Sequence, residues 1–305
     1  MKRSVQLRAS ALLLLTAVIW GVAFVAQSVG MDYVGPFTFS CVRNLIGGLV
    51  LLPCLPLLAR LDSKKTQQAA QGGPRPAWPV LGGVCCGVAL AVSEVLQQFG
   101  LARTSVGKAG FLTAMYILIV PLIGLLVGKR VGAKIWAAVV LAVCGMYLLC
   151  MTESFRIETG DLLVLASAVG FSLHILIIDH FSPGADGVRM SCIQFFTASA
   201  VCLVPTLLWE QPTLAALLAA WAPILYAGVL SSGVAYTLQV IGQRDTDPTV
   251  ASLILSLESV VAALAGWLLL GERLSAREIV GCALAFAAII LAQLPERRLA
   301  PQAGD

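Results

Sequence analysis

Apolar residues in this chain come in long unbroken stretches, and polar residues are largely confined to short gaps between them. A helix needs about 20 apolar residues to cross a hydrocarbon layer of roughly 30 Å, and only helices or closed barrels satisfy every backbone donor and acceptor there. Continuous runs select helices, because a barrel strand alternates with period 2. Ten stretches stand out, at residues 9–29, 35–58, 78–101, 107–127, 133–151, 162–178, 187–209, 214–239, 249–270 and 279–294. The pattern predicts an all-α integral membrane protein with ten transmembrane helices.

The punctuation between the stretches repeats. Gly128-Lys129-Arg130-Val131-Gly132-Ala133-Lys134 follows the fourth, and Gly271-Glu272-Arg273-Leu274-Ser275-Ala276-Arg277 follows the ninth, with glycine, arginine and alanine in step. Gln97, Gly100 and Thr104 recur 142 residues later as Gln239, Gly242 and Thr246, and Pro53 is echoed at a looser offset by Pro205. Such ordered matches predict a unit used twice, residues 1–151 and 152–305, each with five helices. Five is odd, so the second copy must enter the membrane upside down.

Composition strengthens the membrane reading. Of the 305 residues 59% are hydrophobic and 12% charged, with mean hydropathy +0.91, where about 25% charged is usual for a soluble domain. With the N-terminus inside, the predicted cytoplasmic segments hold 14 Lys and Arg and the opposite face five, which places both termini in the cytoplasm. The loop at 61–77 then lies inside, whereas 153–158 and 271–277 face outward. The cell (cytoplasmic or inner) membrane is the expected location. Residues 1–8 before an apolar run also fit a cleavable signal peptide. A run reaching residue 29, and an internal Trp20-Gly21 echoed by Val169-Gly170, favour a retained first helix. The net charge of +4 is dispersed over short loops, without a Lys/Arg block interleaved with aromatics, so nucleic acid is not an expected partner. All nine cysteines fall within the stretches, which suggests neither a disulfide framework nor zinc ligands.

Several chemistries are excluded by missing motifs. Neither Gly107-Lys108 nor Gly128-Lys129 continues into Ser or Thr, as a phosphate-cradling loop requires. The two histidines, His174 and His180, cannot form a His-Glu-x-x-His zinc site, and Leu230-Ser231-Ser232-Gly233 lacks the glycine expected ahead of an intramembrane protease serine. No cofactor or metal is expected. Inverted repeats are, in contrast, the architecture by which secondary transporters build two alternate openings around a midplane site. The rival reading is a multi-pass enzyme or structural protein acting on lipid.

Trp20-Gly21, Arg43 in helix 2 with Gln194 in helix 7, Leu257-Glu258, and the motif beginning at Gly271 make the chain, over residues 10–293, resemble paired EamA domains of the drug/metabolite transporter superfamily. It departs from that pattern at Ser259, where proline commonly follows the glutamate, and at Lys129, where glutamate would match the second copy. The resemblance implies a carrier that exports small metabolites such as amino acids. It also implies a central cavity walled by helices 1 to 4 and 6 to 9, with helices 5 and 10 peripheral.

Ionisable side chains at membrane depth cost about 2.5–3.5 kcal/mol and usually face a cavity or a partner. Four stand out: Arg43, Glu94, His174 and Glu258. Glu258, near the midplane between Ser256 and Ser259, is the first candidate to bind a substrate ammonium or a proton; the bland reading is a carboxylate that locks helices together. His174 reads equally as a packing residue. Arg43 lies seven residues from Pro36 and Glu94 seven from Leu101, so both sit roughly 10 Å inside one face and are expected to pair. Trp20, Tyr116, Gln194 and Tyr236, with Gln97 and Gln239, are candidates to line the cavity or to bind helix to helix. Pro121 is expected to bend helix 4, without a counterpart in helix 9. Gly83-x-x-x-Gly87 and Gly124-x-x-x-Gly128 are expected to permit close helix contact. The sequence leaves monomer and homodimer open.

Overall fold

Each predicted stretch is helical in the computed structural model, which describes residues 2–56, 78–104, 106–129, 131–150, 158–270 and 275–294. The loop at 61–77, the segment 153–157, Gly271 to Leu274 and the tail from 296 lie outside the described residues. The helices are α1 (Lys2–Gly30), α2 (Pro36–Leu51), α3 (Trp78–Leu101), α4a (Val106–Thr113), α4b (Tyr116–Leu126), α5 (Ala133–Cys150), α6 (Thr159–Phe181) and α7 (Gly187–Pro205). After them come α8, composed of Trp221–Leu225, a wider i→i+5 coil over Tyr226–Tyr236, and Thr237–Gln243; then α9a (Pro248–Leu255), α9b (Leu257–Leu270) and α10 (Ala276–Gln293). Eight of these segments are long and apolar enough to cross a membrane; the fifth and tenth stretches hold shorter apolar helices, Ala133–Leu148 and Ile279–Ala292.

Local chemistry sets the helix starts. Pro36 opens α2 after extended Gly35, using a position whose N–H would be unpaired anyway. Glu158 and Asp161 form a reciprocal capping box on α6, Asp186 accepts from Val188 and Arg189 on α7, and Asp247 accepts from Thr249 on α9a. Short connections thus begin each helix with its amides already satisfied.

Large apolar side chains such as Leu208, Trp209, Leu218 and Trp221 stand exposed on the outside, while Arg43, Glu94, Gln97, Gln194 and Glu258 are buried. That inversion suits lipid as the solvent. The broadest packing joins the two halves: α3 lies on α6 and α7, α2 on α7 and α8, α1 on α9b, and α5 on α10. Gly83 and Gly87 allow α7 against α3; an added Cβ would fall 2.7 Å from Ile193 Cβ and 2.5 Å from Thr197 Cβ. The second glycine pair does otherwise. Gly124 would meet only Lys129 Cβ, at 3.8 Å, and Gly128 has open space and φ +82°. It ends the helix rather than docking it, since φ above zero suits glycine.

Three polar contacts tie helix ends together. Lys108 pairs with buried Asp161 at the start of α4a and α6, and Lys129 pairs with Asp179 just beyond α4b and near the end of α6 (2.5 Å). Beyond α7, a wide turn at Thr206–Glu210 delivers Glu210 to the first amides of α2, accepting from Phe37 (3.0 Å) and Thr38 (2.7 Å). A Cβ at position 35 would lie 2.2 Å from the Glu210 carboxyl carbon, so a larger residue there would have to displace this cap.

Candidate functional site

Two helix interruptions build the site. The chain leaves α geometry between Thr113 and Tyr116, and again at Ser256, between Leu255 and Leu257. The halves before the breaks, Val106–Thr113 and Pro248–Leu255, are related residue by residue by the 142-residue offset of the repeat. Around the first break the backbone tightens to i→i+3 bonds: Met115 to Leu112 (3.2 Å), Ile117 to Ala114 and Leu118 to Met115 (both 3.0 Å). Around the second, Ser256 Oγ donates to Leu253 (2.8 Å) and Ser259 Oγ to Ser256 (2.7 Å), a back-bonding that bends helices. Pro121, expected to mark a one-sided bend, lies inside uninterrupted α4b. The break precedes it and occurs in both copies.

Immediately beyond the breaks, Tyr116 donates its hydroxyl to Glu258 Oε1 at 2.8 Å. The two residues are themselves 142 apart. Both are buried, and no basic group lies within ion-pair distance of Glu258 among the described residues.

Arg43 is placed differently. Its guanidinium donates to Ser231 Oγ (2.8 Å), Ser232 Oγ (3.2 Å) and Gln27 Oε1 (3.2 Å), and sits 3.5 Å from Glu94 Oε1. Glu94, fully buried, also receives Asn44 Nδ2. The expected pairing of Arg43 with Glu94 is present. A buried charge keeps its solvation cost low only when its partners are arranged in this way.

Further polar groups complete the wall. His174 Nε2 meets Gln194 Oε1 at 3.0 Å, and Gln97 Nε2 donates to Thr113 Oγ1 at 3.0 Å. The wide coil of α8 offers carbonyls to α1: Ser231 accepts from Trp20 Nε1 (3.3 Å) and Ala235 from Thr16 (3.1 Å). The Trp20 and Tyr236 rings lie 4.5 Å apart, tilted by 55°. These groups surround a partly open cleft with about 440 Å³ of space between atoms, open solvent included. The centre of a water molecule has only about 30 Å³ to visit within it, so the space is a narrow slot.

Of the residues singled out from sequence, Trp20, Arg43, Tyr116, His174, Tyr236 and Glu258 line this slot, as do Gln97 and Gln239. Glu94 and Gln194 stand behind it, holding Arg43 and His174. Sequence reasoning missed Phe24, Gln27 and Ser231. The first two follow Trp20 at i+4 and i+7, a helical stripe that could have been read. Ser231 had been weighed only as a protease nucleophile. Among the described residues the lining comes from α1, α2, α3, α4, α6, α8 and α9, with nothing from α5 or α10; α7, expected in the wall, stands behind it through Gln194. A second cavity lies one to two turns further along α4b and α6, between Val120, Gly124, Lys129, Leu176 and Thr249. Among the described residues no three His, Cys, Asp or Glu groups converge as for a metal.

Comparison with known proteins places this geometry. The model of the EamA-like transporter family matches residues 7–151 and again 158–294. An uncharacterized transporter of Archaeoglobus fulgidus is 30% identical over 92% of this chain and 84% of its own length. The uncharacterized transporter YwfM of Bacillus subtilis is 28% identical over 95% of each chain. A chloroplastic WAT1-related protein of Arabidopsis thaliana is 22% identical over 91% of this chain and 67% of its own. A protein of known crystal structure shares the fold at TM-score 0.74 and 20% identity, covering 95% of this chain and 98% of that one.

Proposed function

Because this chain belongs to the EamA-like transporter family, we propose that it is a secondary carrier that exports a small amino-acid-like or amine metabolite by alternating access. The membrane transporter is the family's contribution; substrate, direction and cycle are our reading. In it the ten stretches cross the cytoplasmic membrane as two inverted repeats with both termini inside. The observation that carries it is the slot itself, walled by both family copies and containing the Tyr116 to Glu258 contact between two broken helices. A site at the interface of two repeats is where rocking of one against the other alternates access. The outward direction is supported by resemblance alone, and a proton is the candidate coupling ion because Glu258 is a buried carboxylate in the path.

Proteoliposomes loaded with labelled amino acids and amines, with and without a pH gradient, test this. Efflux above protein-free vesicles is expected, and folded protein that moves nothing in either direction would overturn it. Orientation has its own test: single cysteines at Asp32 and Asp245, in a cysteine-free background, should react with an impermeant maleimide from opposite sides. Labelling from one side only would break the inverted arrangement.

A further inference from the structure

We propose that the slot selects an organic monocation, an amine with an apolar body and no carboxylate, whose ammonium sits on Glu258. This rests on the transporter reading and narrows its substrate class. A zwitterion needs a receptor for each of its charges, and the slot offers an unbalanced charge for only one, since its Arg43 is already paired with Glu94.

The cationic side is already consumed. Arg43, the one cation lining the slot among the described residues, spends three of its five N–H donors on Ser231, Ser232 and Gln27, and its charge is balanced by Glu94. Lys108 and Lys129 are at helix ends, in pairs with Asp161 and Asp179. A helix N-terminus can also hold a carboxylate, and α4b begins at the slot. Three of its first four amides are taken, however: Ile117 by Ala114, and Leu118 and Ile119 by Met115. His174 is engaged through Nε2 by Gln194.

The accepting side is open. Glu258 receives one hydrogen bond, from Tyr116 to Oε1, and Oε2 receives none from the described residues. Gln239, which lines the slot and is 1% exposed, has a buried Oε1 without a partner. Its counterpart Gln97 donates Nε2 to Thr113 Oγ1, and position 255, the counterpart of 113, is leucine, which offers Gln239 no such hydroxyl. A buried acceptor left in this way is costly until a donor arrives, and an ammonium brings three donors. The rest of the wall is aromatic, with Trp20 against Tyr236 and Phe24 and Phe171 beside them. Ring faces attract cations and cover an apolar body.

Titration calorimetry on the purified full chain in detergent at neutral pH, with isobutylamine against valine and phenethylamine against phenylalanine, decides it. At least one amine should bind about tenfold or more tightly than its amino acid, the factor expected when a carboxylate must be buried unpaired. Glu258→Gln should lose that preference in folded protein. Amino acids binding as well as the amines, no binding by either amine, or unchanged amine binding to folded E258Q would each overturn the proposal. The wild-type comparison decides alone if E258Q does not fold. If proteoliposomes meanwhile move a different metabolite, the carrier reading stands without the monocation; if they move nothing, both fall.

Discussion

At the slot the two family copies present equivalent positions in opposite conditions. In the first copy Gln97 is paired with Thr113 and Arg43 is surrounded by acceptors; in the second Gln239 leaves Oε1 without a partner, and Gln194 leaves Nε2 unpaired behind His174. Tyr116 is a donor already spent, whereas its counterpart at the 142-residue offset, Glu258, keeps an oxygen in reserve. On the proposed monocation site, the difference makes the Arg43 cluster of the first copy scaffold and the Glu258 and Gln239 acceptors of the second the recognition surface. Substitutions should therefore divide into those that unfold and those that only silence.

The largest effect is expected at the scaffold. Arg43→Ala and Glu94→Ala should each cost about 3–5 kcal/mol, because each leaves a buried charge without its partner. Thermal unfolding in detergent measures it, and the exchanged double variant Arg43→Glu with Glu94→Arg should recover part of the loss. Strictly additive losses would show that the pair is not a unit.

Next comes the recognition surface. Glu258→Gln should reduce transport by roughly a hundredfold, about 2.7 kcal/mol, while the unfolding temperature stays near wild type. Wild-type flux in the folded variant would reduce Glu258 to a bond between helices 4 and 9.

A matched pair then compares the copies directly. Gln97→Leu removes a made hydrogen bond and leaves the Thr113 hydroxyl to be satisfied, at about 1 kcal/mol. Gln239→Leu removes an unmade one, so it should be neutral or slightly stabilising yet weaken substrate affinity several-fold. Equal destabilisation by the two would erase the proposed asymmetry. The smallest effect is expected at Lys129→Ala: Lys129 is 45% exposed, and such a pair contributes about 0–1 kcal/mol. A loss of several kcal/mol there would show that the seam between helices 4 and 6 is held from its end rather than from the slot.

Hydropathy made much of this fold legible. The third stretch, residues 78–101, coincides with Trp78–Leu101, because a lipid-spanning helix is bounded where apolar residues stop. What hydropathy does not encode is hydrogen-bond register inside an apolar run. The breaks at Ala114–Met115 and Ser256, and the wide coil at Tyr226–Tyr236, were therefore not foreseen. Ser256 and Ser259 were noticed as polar neighbours of Glu258, but their hydroxyls turn back onto their own helix. Within the site, depth counting brought Arg43 to Glu94 correctly, since seven residues of helix from one face is a fixed distance. The idle oxygen of Gln239 was beyond that counting, since it depends on which residue stands across the gap.

Glu210 ends one helix and holds the first amides of another, so its cap on α2 is borrowed. Such a cap lasts only while α7 lies alongside. Parting the two helices at that end exchanges two hydrogen bonds to a carboxylate for bonds to water, each worth about 1.5–3 kcal/mol. A bias of that size shifts a two-state equilibrium tenfold or more. If the proposed cycle parts α2 from α7 at this end, that one side chain acts as a counterweight toward the joined state, and whatever opens the seam must supply the work of lifting it.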